Sequence, residues 1–269
     1  MLPLGMRSLV RRVYYLPSDV YRDIRYGRDR MEPPKGKTYV GGGDFTEQGK
    51  IFLDFFRKFS DLNPKHHILD VGSGIGRMAV PFTAFLNEDG RYFGFDLVKD
   101  GIDWCNERIT AKDDRFHFQH VDIENKLYNP NGKIKGEKFV FPYDDNSFDF
   151  VFLTSVFTHM MPEEVEQYLS EITRVLKPGG QSFITYFLLD KIAEENISAG
   201  KSHKAFKFGG GKFRLMNEKV DTANVAYEWD YIMDLYRKNG MQLDSGYHPG
   251  WWSGKPKGND YQDIIVARK

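Results

Sequence analysis

The stretch Ile68-Leu-Asp-Val-Gly-Ser-Gly-Ile-Gly76 constrains the fold more than any other part of the chain. An apolar strand runs into a carboxylate, Asp70, and then into Gly72, Gly74 and Gly76, with Ser73 between the first two. Glycines at this spacing turn sharply and present backbone N–H groups without Cβ atoms, and a following helix would aim its positive end at the same place. Such a strand–loop–helix junction suits the close approach of a nucleotide-like ligand. The dinucleotide fingerprint is G-x-G-x-x-G, whereas the third glycine here comes one position early.

Two further strands end in acids in step with the first. Tyr92-Phe-Gly-Phe-Asp96 places Asp96 26 residues after Asp70, and Phe118-Gln-His-Val-Asp122 places Asp122 a further 26 residues on. Strands at about 67–71, 91–96 and 115–121 alternate with helices at about 75–86 and 99–110, the β-α-β-α-β pattern of a doubly wound sheet. Pro81 falls inside the first of those helices, where it should remove a hydrogen bond and bend the axis. Ahead of them, Asp44 and Glu47 mark the start of a helix whose Ile51, Phe52, Phe55, Phe56 and Phe59 recur at helical spacing. Phe148 to Thr154 is almost continuously apolar, as a central parallel strand requires. Pro162 opens a helix that stops at Lys177-Pro-Gly-Gly180. A fifth strand spans 181–189, a helix 228–239, and two closing strands 241–247 and 261–267, which makes seven.

These motifs resemble the class I S-adenosylmethionine-dependent methyltransferases. The likeness runs from about residue 45 to 269 and includes Phe141-Pro-Tyr-Asp-Asp-Asn-Ser-Phe-Asp-Phe-Val151 and Arg174-Val-Leu-Lys-Pro-Gly-Gly180. It implies a seven-stranded, mostly parallel Rossmann-like sheet with its last strand antiparallel and helices on both faces. It also implies S-adenosylmethionine as cofactor. Two segments depart from the pattern, at about 124–140 and 190–227. Insertions at the carboxyl ends of strands are where such folds build substrate pockets, so both are expected to act as lids.

In the light of that resemblance Asp96 is expected to accept hydrogen bonds from both ribose hydroxyls, since a carboxylate is a bidentate acceptor suited to a vicinal diol. Asp122 would face the adenine amino group, with Leu97 and Ile123 sandwiching the ring; a strand cap is the plainer role for Asp122. Asp70 either supports the glycine loop or reaches the methionine ammonium. Gly72, Ser73, Gly74, Gly76 and Ser155 complete the expected cofactor contacts. His159, in Thr154-Ser-Val-Phe-Thr-His-Met160, follows the fourth strand where relatives often place a histidine, and is the candidate general base or else helix-start scaffolding. Tyr39, Asp44 and Tyr186 are secondary candidates. Methyl transfer to a small molecule or glycan precursor follows, with a sugar hydroxyl favoured. N-methylation of an amine or protein side chain and a non-catalytic cofactor-binding partner are the alternatives.

Charge and cysteine usage narrow the partners. Lys plus Arg and Asp plus Glu number 38 each, so no global basic field draws the chain to a phosphate backbone, and nucleic acid is an unlikely partner. Cys105 is the sole cysteine, which excludes an intrachain disulfide and a multi-cysteine zinc cluster, leaves no metal site in view, and fits a reducing, cytoplasmic setting. Residues 1–44 read as a basic arm and loop ahead of a catalytic domain at 45–269. The arm carries Arg7, Arg11, Arg12, Arg22, Arg25, Arg28 and Arg30 among apolar and aromatic residues, with Pro17 expected to interrupt any helix. It could sit on an anionic membrane surface; packing on its own domain or on a second subunit is the alternative. Lys201, Lys204, Lys207, Lys212 and Arg214 form a basic run that either recognises phosphate on an acceptor or is simply solvated. Trp251 and Trp252 either stack on an acceptor or plug the sheet edge. The oligomeric state is left open.

Overall fold

The structure, a computed structural model, describes residues 4–39, 41–220, 223–256 and 258–269. Five parallel strands form the centre: β1 (His67–Val71), β2 (Arg91–Asp96), β3 (Phe116–His120), β4 (Phe148–Leu153) and β5 (Leu176–Tyr186). Two closing strands, β10 (Gln242–His248) and β11 (Asp263–Arg268), extend the sheet to the order β3-β2-β1-β4-β5-β11-β10. β11 runs antiparallel to both of its neighbours. The strand order reverses between β1 and β4, and such a switch point opens a crevice at the carboxyl ends of the strands.

Aromatic packing joins helix α2 (Phe45–Phe59) to this sheet. Phe56 is fully buried, with its ring centroid 4.5 Å from Phe152 and 4.7 Å from Phe183. Asp44 caps α2 as its sequence suggests, accepting from the amides of Thr46 and Glu47 at 3.0 Å each. Ile51, expected in the buried stripe, is exposed, because Phe52, Phe56 and Phe59 already fill the inward face. The other helices are α3 (Ala79–Phe85), α4 (Lys99–Cys105), α5 (Pro162–Val175), α6 (Lys191–Ser198) and α7 (Trp229–Lys238), with one π turn (Asn106–Thr110) continuing α4.

Three expectations are corrected. Helix α3 begins at Ala79, not near 75, because the glycine loop runs on to Met78. Pro81 therefore sits in the first turn, where a missing N–H leaves no bond unmade. A helix, α1 (Leu4–Tyr26), continues through Pro17, which lies on the exposed side of the helix. The fifth strand begins at Leu176 with an irregular register against β4 over Lys177–Gly180, and the expected strand end at 187–189 belongs elsewhere. There, β6 (Leu188–Leu189), β7 (Phe208–Gly210), β8 (Phe213–Leu215) and β9 (Val225–Glu228) form a separate small sheet ordered β6-β9-β8-β7.

Candidate active site

The loop after β1 is built by three left-handed glycines, Gly72, Gly74 and Gly76, with φ of 82°, 58° and 82°. The amides of Gly72 and Ser73 donate to the Phe95 carbonyl at 2.9 and 3.0 Å, which clamps the loop onto the end of β2. Asp96 completes the clamp: one carboxylate oxygen accepts from the Gly74 amide at 2.8 Å and the other from the Val98 amide at 2.7 Å. Each oxygen retains a lone pair for a ligand. Burial raises the Asp96 pKa, and the Val98 and Gly74 amides oppose that rise. Asp70 is buried and accepts from the Tyr92 hydroxyl at 2.6 Å. Desolvation outweighs that bond and lifts its pKa to about 8.

Two glycines allow elements to touch. A Cβ on Gly72 would lie 2.5 Å from Val156 Cγ2, and one on Gly101 in α4 would lie 2.2 Å from Tyr39 Oη and 2.4 Å from the Gly74 carbonyl oxygen. Tyr39 is thereby pressed over the loop, with its hydroxyl buried and without a hydrogen-bond partner among the described residues. The Ser73 hydroxyl shares that condition. Burying unpaired hydroxyls is costly, so two of them beside one loop mark a place for a polar ligand.

A cavity of about 380 Å³ opens at this loop. Asp70, Gly72, Ser73, Gly74, Asp96, Leu97 and Ile123 line it, as do Tyr39 and Ser155. His159 lines it from a short 3₁₀ turn (Phe157–His159), with its ring edge-on to Tyr128 at 6.3 Å. Ser155 has a left-handed backbone, φ 60°; its amide donates to Thr185 Oγ1 at 2.7 Å and its hydroxyl to Gln262 Oε1 at 3.1 Å. Asp122 lines a second cavity, of about 500 Å³, which shares Tyr39, Leu97, Val98 and Tyr128 with the first. Its carboxylate accepts from Asn129 Nδ2 at 3.1 Å.

Other candidates stand elsewhere. Gly76 packs the loop against α4 and the π turn, where a Cβ would lie 2.8 Å from Ile109 Cδ1 and 2.9 Å from Cys105 Sγ. Asp44 serves as the cap of α2. Tyr186 is buried, with its hydroxyl 2.9 Å from that of Tyr236. Part of the basic run is neutralised: Lys212 pairs with Glu166 at 3.0 Å, and Arg214 with Glu194 at 2.5 Å and Glu228 at 3.2 Å. Trp252 is fully buried and donates to Asp263, while Trp251 packs edge-on against Tyr261 at 4.5 Å.

Sequence reasoning missed Gln48, Arg77, Glu124, Tyr128, Glu164, Tyr168 and the run Asp260-Tyr261-Gln262, all of which line the cavity. The last of these had a signal. An antiparallel closing strand starts at the sheet edge where parallel strands end, so residues just before it face the crevice.

Comparison with known proteins agrees with this geometry. Residues 69–184 match the family model described as a methyltransferase domain. Phosphoethanolamine N-methyltransferase 2 of Caenorhabditis elegans is 29% identical over 163 residues, which are 60% of this chain and 32% of that protein. Sterol 24-C-methyltransferase of Candida albicans is 27% identical over 201 residues, 73% of this chain and 49% of that protein. The chain thus spans about a third to a half of the length of these relatives. An S-adenosylmethionine-dependent methyltransferase from Mesorhizobium loti shares the fold, with a TM-score of 0.56 at 12% identity over 82% of this chain and 99% of that one.

Proposed function

The chain carries a class I S-adenosylmethionine-dependent methyltransferase domain, and from that premise we propose that it moves a methyl group from S-adenosylmethionine to a small-molecule acceptor at the His159 end of the cavity, with oxygen the favoured acceptor atom. The observation that carries this reading is the loop: glycines without Cβ atoms, two unpaired hydroxyls and the spare lone pairs of Asp96 converge on one cavity.

Those groups fit a ligand with a nucleoside and an amino-acid end. Asp96 would hold the ribose diol, and Leu97 and Ile123 the faces of the adenine. Asp122 would meet the adenine edge from the second cavity, while Asp70, Ser73 and Gly74 would take the methionine end. Bound there, the sulfonium supplies an already activated methyl group. The remaining task of the protein is alignment and, for a hydroxyl acceptor, removal of its proton. His159 lines the cavity and is the residue we assign to accept that proton, and a His159→Ala variant is expected to lose about 10² to 10⁴ in turnover. In this reading the catalytic domain is 45–269, preceded by the arm. Its 124–140 insertion brings Glu124 and Tyr128 to the cavity.

A second reading, N-methylation, draws on one further observation. Glu124, Glu164 and Asp260 line the cavity beside Tyr128, Tyr168 and Tyr261, and carboxylates with aromatic rings suit a cationic amine. The amine must shed a proton before it attacks, and with one of those carboxylates to take it His159 is dispensable in that case. Label from methyl-labelled S-adenosylmethionine, followed into fractionated cell extract with Asp96→Ala as the blank, tests both readings. Label in a sugar or other hydroxyl compound that needs His159 supports the first, and label in an amine that does not need it supports the second. Cofactor binding without label in any fraction would overturn both. Loss of one charge-assisted bond at Asp96 should weaken cofactor binding about tenfold to 150-fold.

A further inference from the structure

Helix α1 meets the rest of the chain with its polar side. Asp19 is buried and accepts from the amides of Lys35 and Gly36 at 2.9 and 3.0 Å. Arg22 pairs with Glu32 at 2.6 Å, Arg12 with Asp100 at 2.8 Å, and Arg11 donates to the Lys35 carbonyl at 3.2 Å. The apolar side is turned outward. Leu9, Val13, Leu16, Val20 and Ile24 follow one another at three- and four-residue steps and so form one stripe, with exposures from 46% at Val20 to 82% at Ile24. Tyr14 and Tyr21 flank it and are exposed as well. A helix that turns a buried Asp19 and its paired arginines toward the protein while showing water its aliphatic stripe departs from the usual arrangement for a surface helix.

The charge of the segment points to what covers the stripe. Seven arginines against Asp19, Asp23 and Asp29 give residues 1–30 an excess of four positive charges in a chain whose total is balanced, and the pairing of Arg12 with Asp100 and of Arg22 with Glu32 leaves two of the four uncompensated by those contacts. Two copies laid stripe to stripe would bring two such segments together, at an electrostatic cost. An anionic lipid surface instead attracts the excess. The order on one flank of the helix also fits: aliphatic residues at the centre, then the tyrosines, then Arg25 next beyond Tyr14, following the gradient from acyl chain to headgroup, while on the other flank Asp23, paired with Arg28 at 2.5 Å, and Arg12 border the stripe. No helix among the described residues is long and apolar enough to cross a membrane, so α1 would lie in the surface plane.

We propose that α1 docks the protein on anionic lipid, with the Leu9–Ile24 stripe inserted at the headgroup boundary. This inference is independent of the methyl-transfer reading. It has a geometric consequence for the site, because Arg12 lines the second cavity and the segment after α1 leads directly to Tyr39.

The test is co-sedimentation of the full chain with vesicles of phosphatidylcholine alone or mixed with phosphatidylserine, alongside the double variant Val13→Asp, Ile24→Asp. Both substituted residues are exposed, so the circular dichroism spectrum and melting temperature should not change. Binding is expected with the anionic vesicles, falling with added salt, and at least about tenfold weaker for the double variant. No sedimentation with anionic vesicles at low ionic strength would overturn the proposal, as would equal binding to phosphatidylcholine alone or undiminished binding of the double variant. A lipid-free dimer by light scattering that the double variant converts to monomer would assign the stripe to a second copy instead.

Discussion

Asp70 and Asp96 end neighbouring strands, yet their surroundings give them different tasks. Asp96 receives two backbone amides, whereas Asp70 has the Tyr92 hydroxyl and a desolvation that lifts its pKa from 3.8 to about 8. Between those two values the folded protein holds a proton that the unfolded chain has released. This group's contribution to stability is therefore complete at and below the unfolded value and is lost as pH rises toward about 8. Asp70→Asn should flatten that decline, so that the variant gains melting temperature on wild type as pH rises; parallel curves would show that the proton is not held there. The same carboxyl should ionise when a cationic ligand enters. S-adenosylmethionine binding near neutral pH should then release a proton, seen as a calorimetric enthalpy that varies with the ionisation enthalpy of the buffer, and Asp70→Asn should abolish the variation. The carboxylates were legible as strand-terminal acids; their protonation was not, because it depends on burial that strand position does not report.

At the level of elements, the site depends on how closely α4 approaches the glycine loop. The approach is set by Gly101, a residue that carries no motif signal. A methyl group there would collide with Tyr39 Oη and with the Gly74 carbonyl, both fixed by their own packing. Gly101→Ala is expected to displace the loop that Asp96 clamps, weakening cofactor binding by at least about tenfold and costing about 1–3 kcal/mol of stability. Gly210→Ala, in open space, should alter neither. Calorimetric titration and urea unfolding of the two variants would decide it, and identical behaviour would sink the argument. Strands β1 and β2 were legible to the residue because acids and glycines punctuate them. Helix α1 was not, since Pro17 is a strong local breaker whose cost depends on which side of the helix faces solvent. The sheet β6-β9-β8-β7 was hidden because strands of two to four residues are too short to show alternation, although Gly211-Lys212 between β7 and β8 is a two-residue hairpin turn in plain view.

In the whole molecule, the large sheet supplies the glycine loop, and a polar knot holds the segment that brings Asp260, Tyr261 and Gln262 to the cavity. Asp263, at the start of β11, is fully buried and accepts from the amides of Leu188 and Gly250 at 2.9 Å each, from Trp252 Nε1 and from the Tyr247 hydroxyl. Lys255 lies between Asp190, at 2.7 Å, and Asp263, at 3.8 Å, and also meets the Tyr247 hydroxyl at 2.6 Å. Asp190 in turn caps α6 by accepting from the Ala193 amide at 2.8 Å. One ammonium thus ties together the small sheet, α6 and the loop that delivers Asp260, Tyr261 and Gln262 to the cavity. Removing it leaves a buried carboxylate without its counter-charge, which typically costs about 3–5 kcal/mol. Because Asp263 keeps its other donors, Lys255→Met should fall at the low end of that range in urea unfolding. Lys207→Met, on an exposed side chain, should stay within about 0.5 kcal/mol. The loosened segment lies outside the glycine loop and reaches the cavity through Asp260, Tyr261 and Gln262, the last of which accepts from the Ser155 hydroxyl at 3.1 Å; on the proposed reading the KM for acceptor should therefore rise more than the affinity for S-adenosylmethionine falls. A Lys255→Met protein with wild-type stability and unchanged acceptor KM would mean that the segment is held by packing around Trp252 and that the ion pairs are incidental.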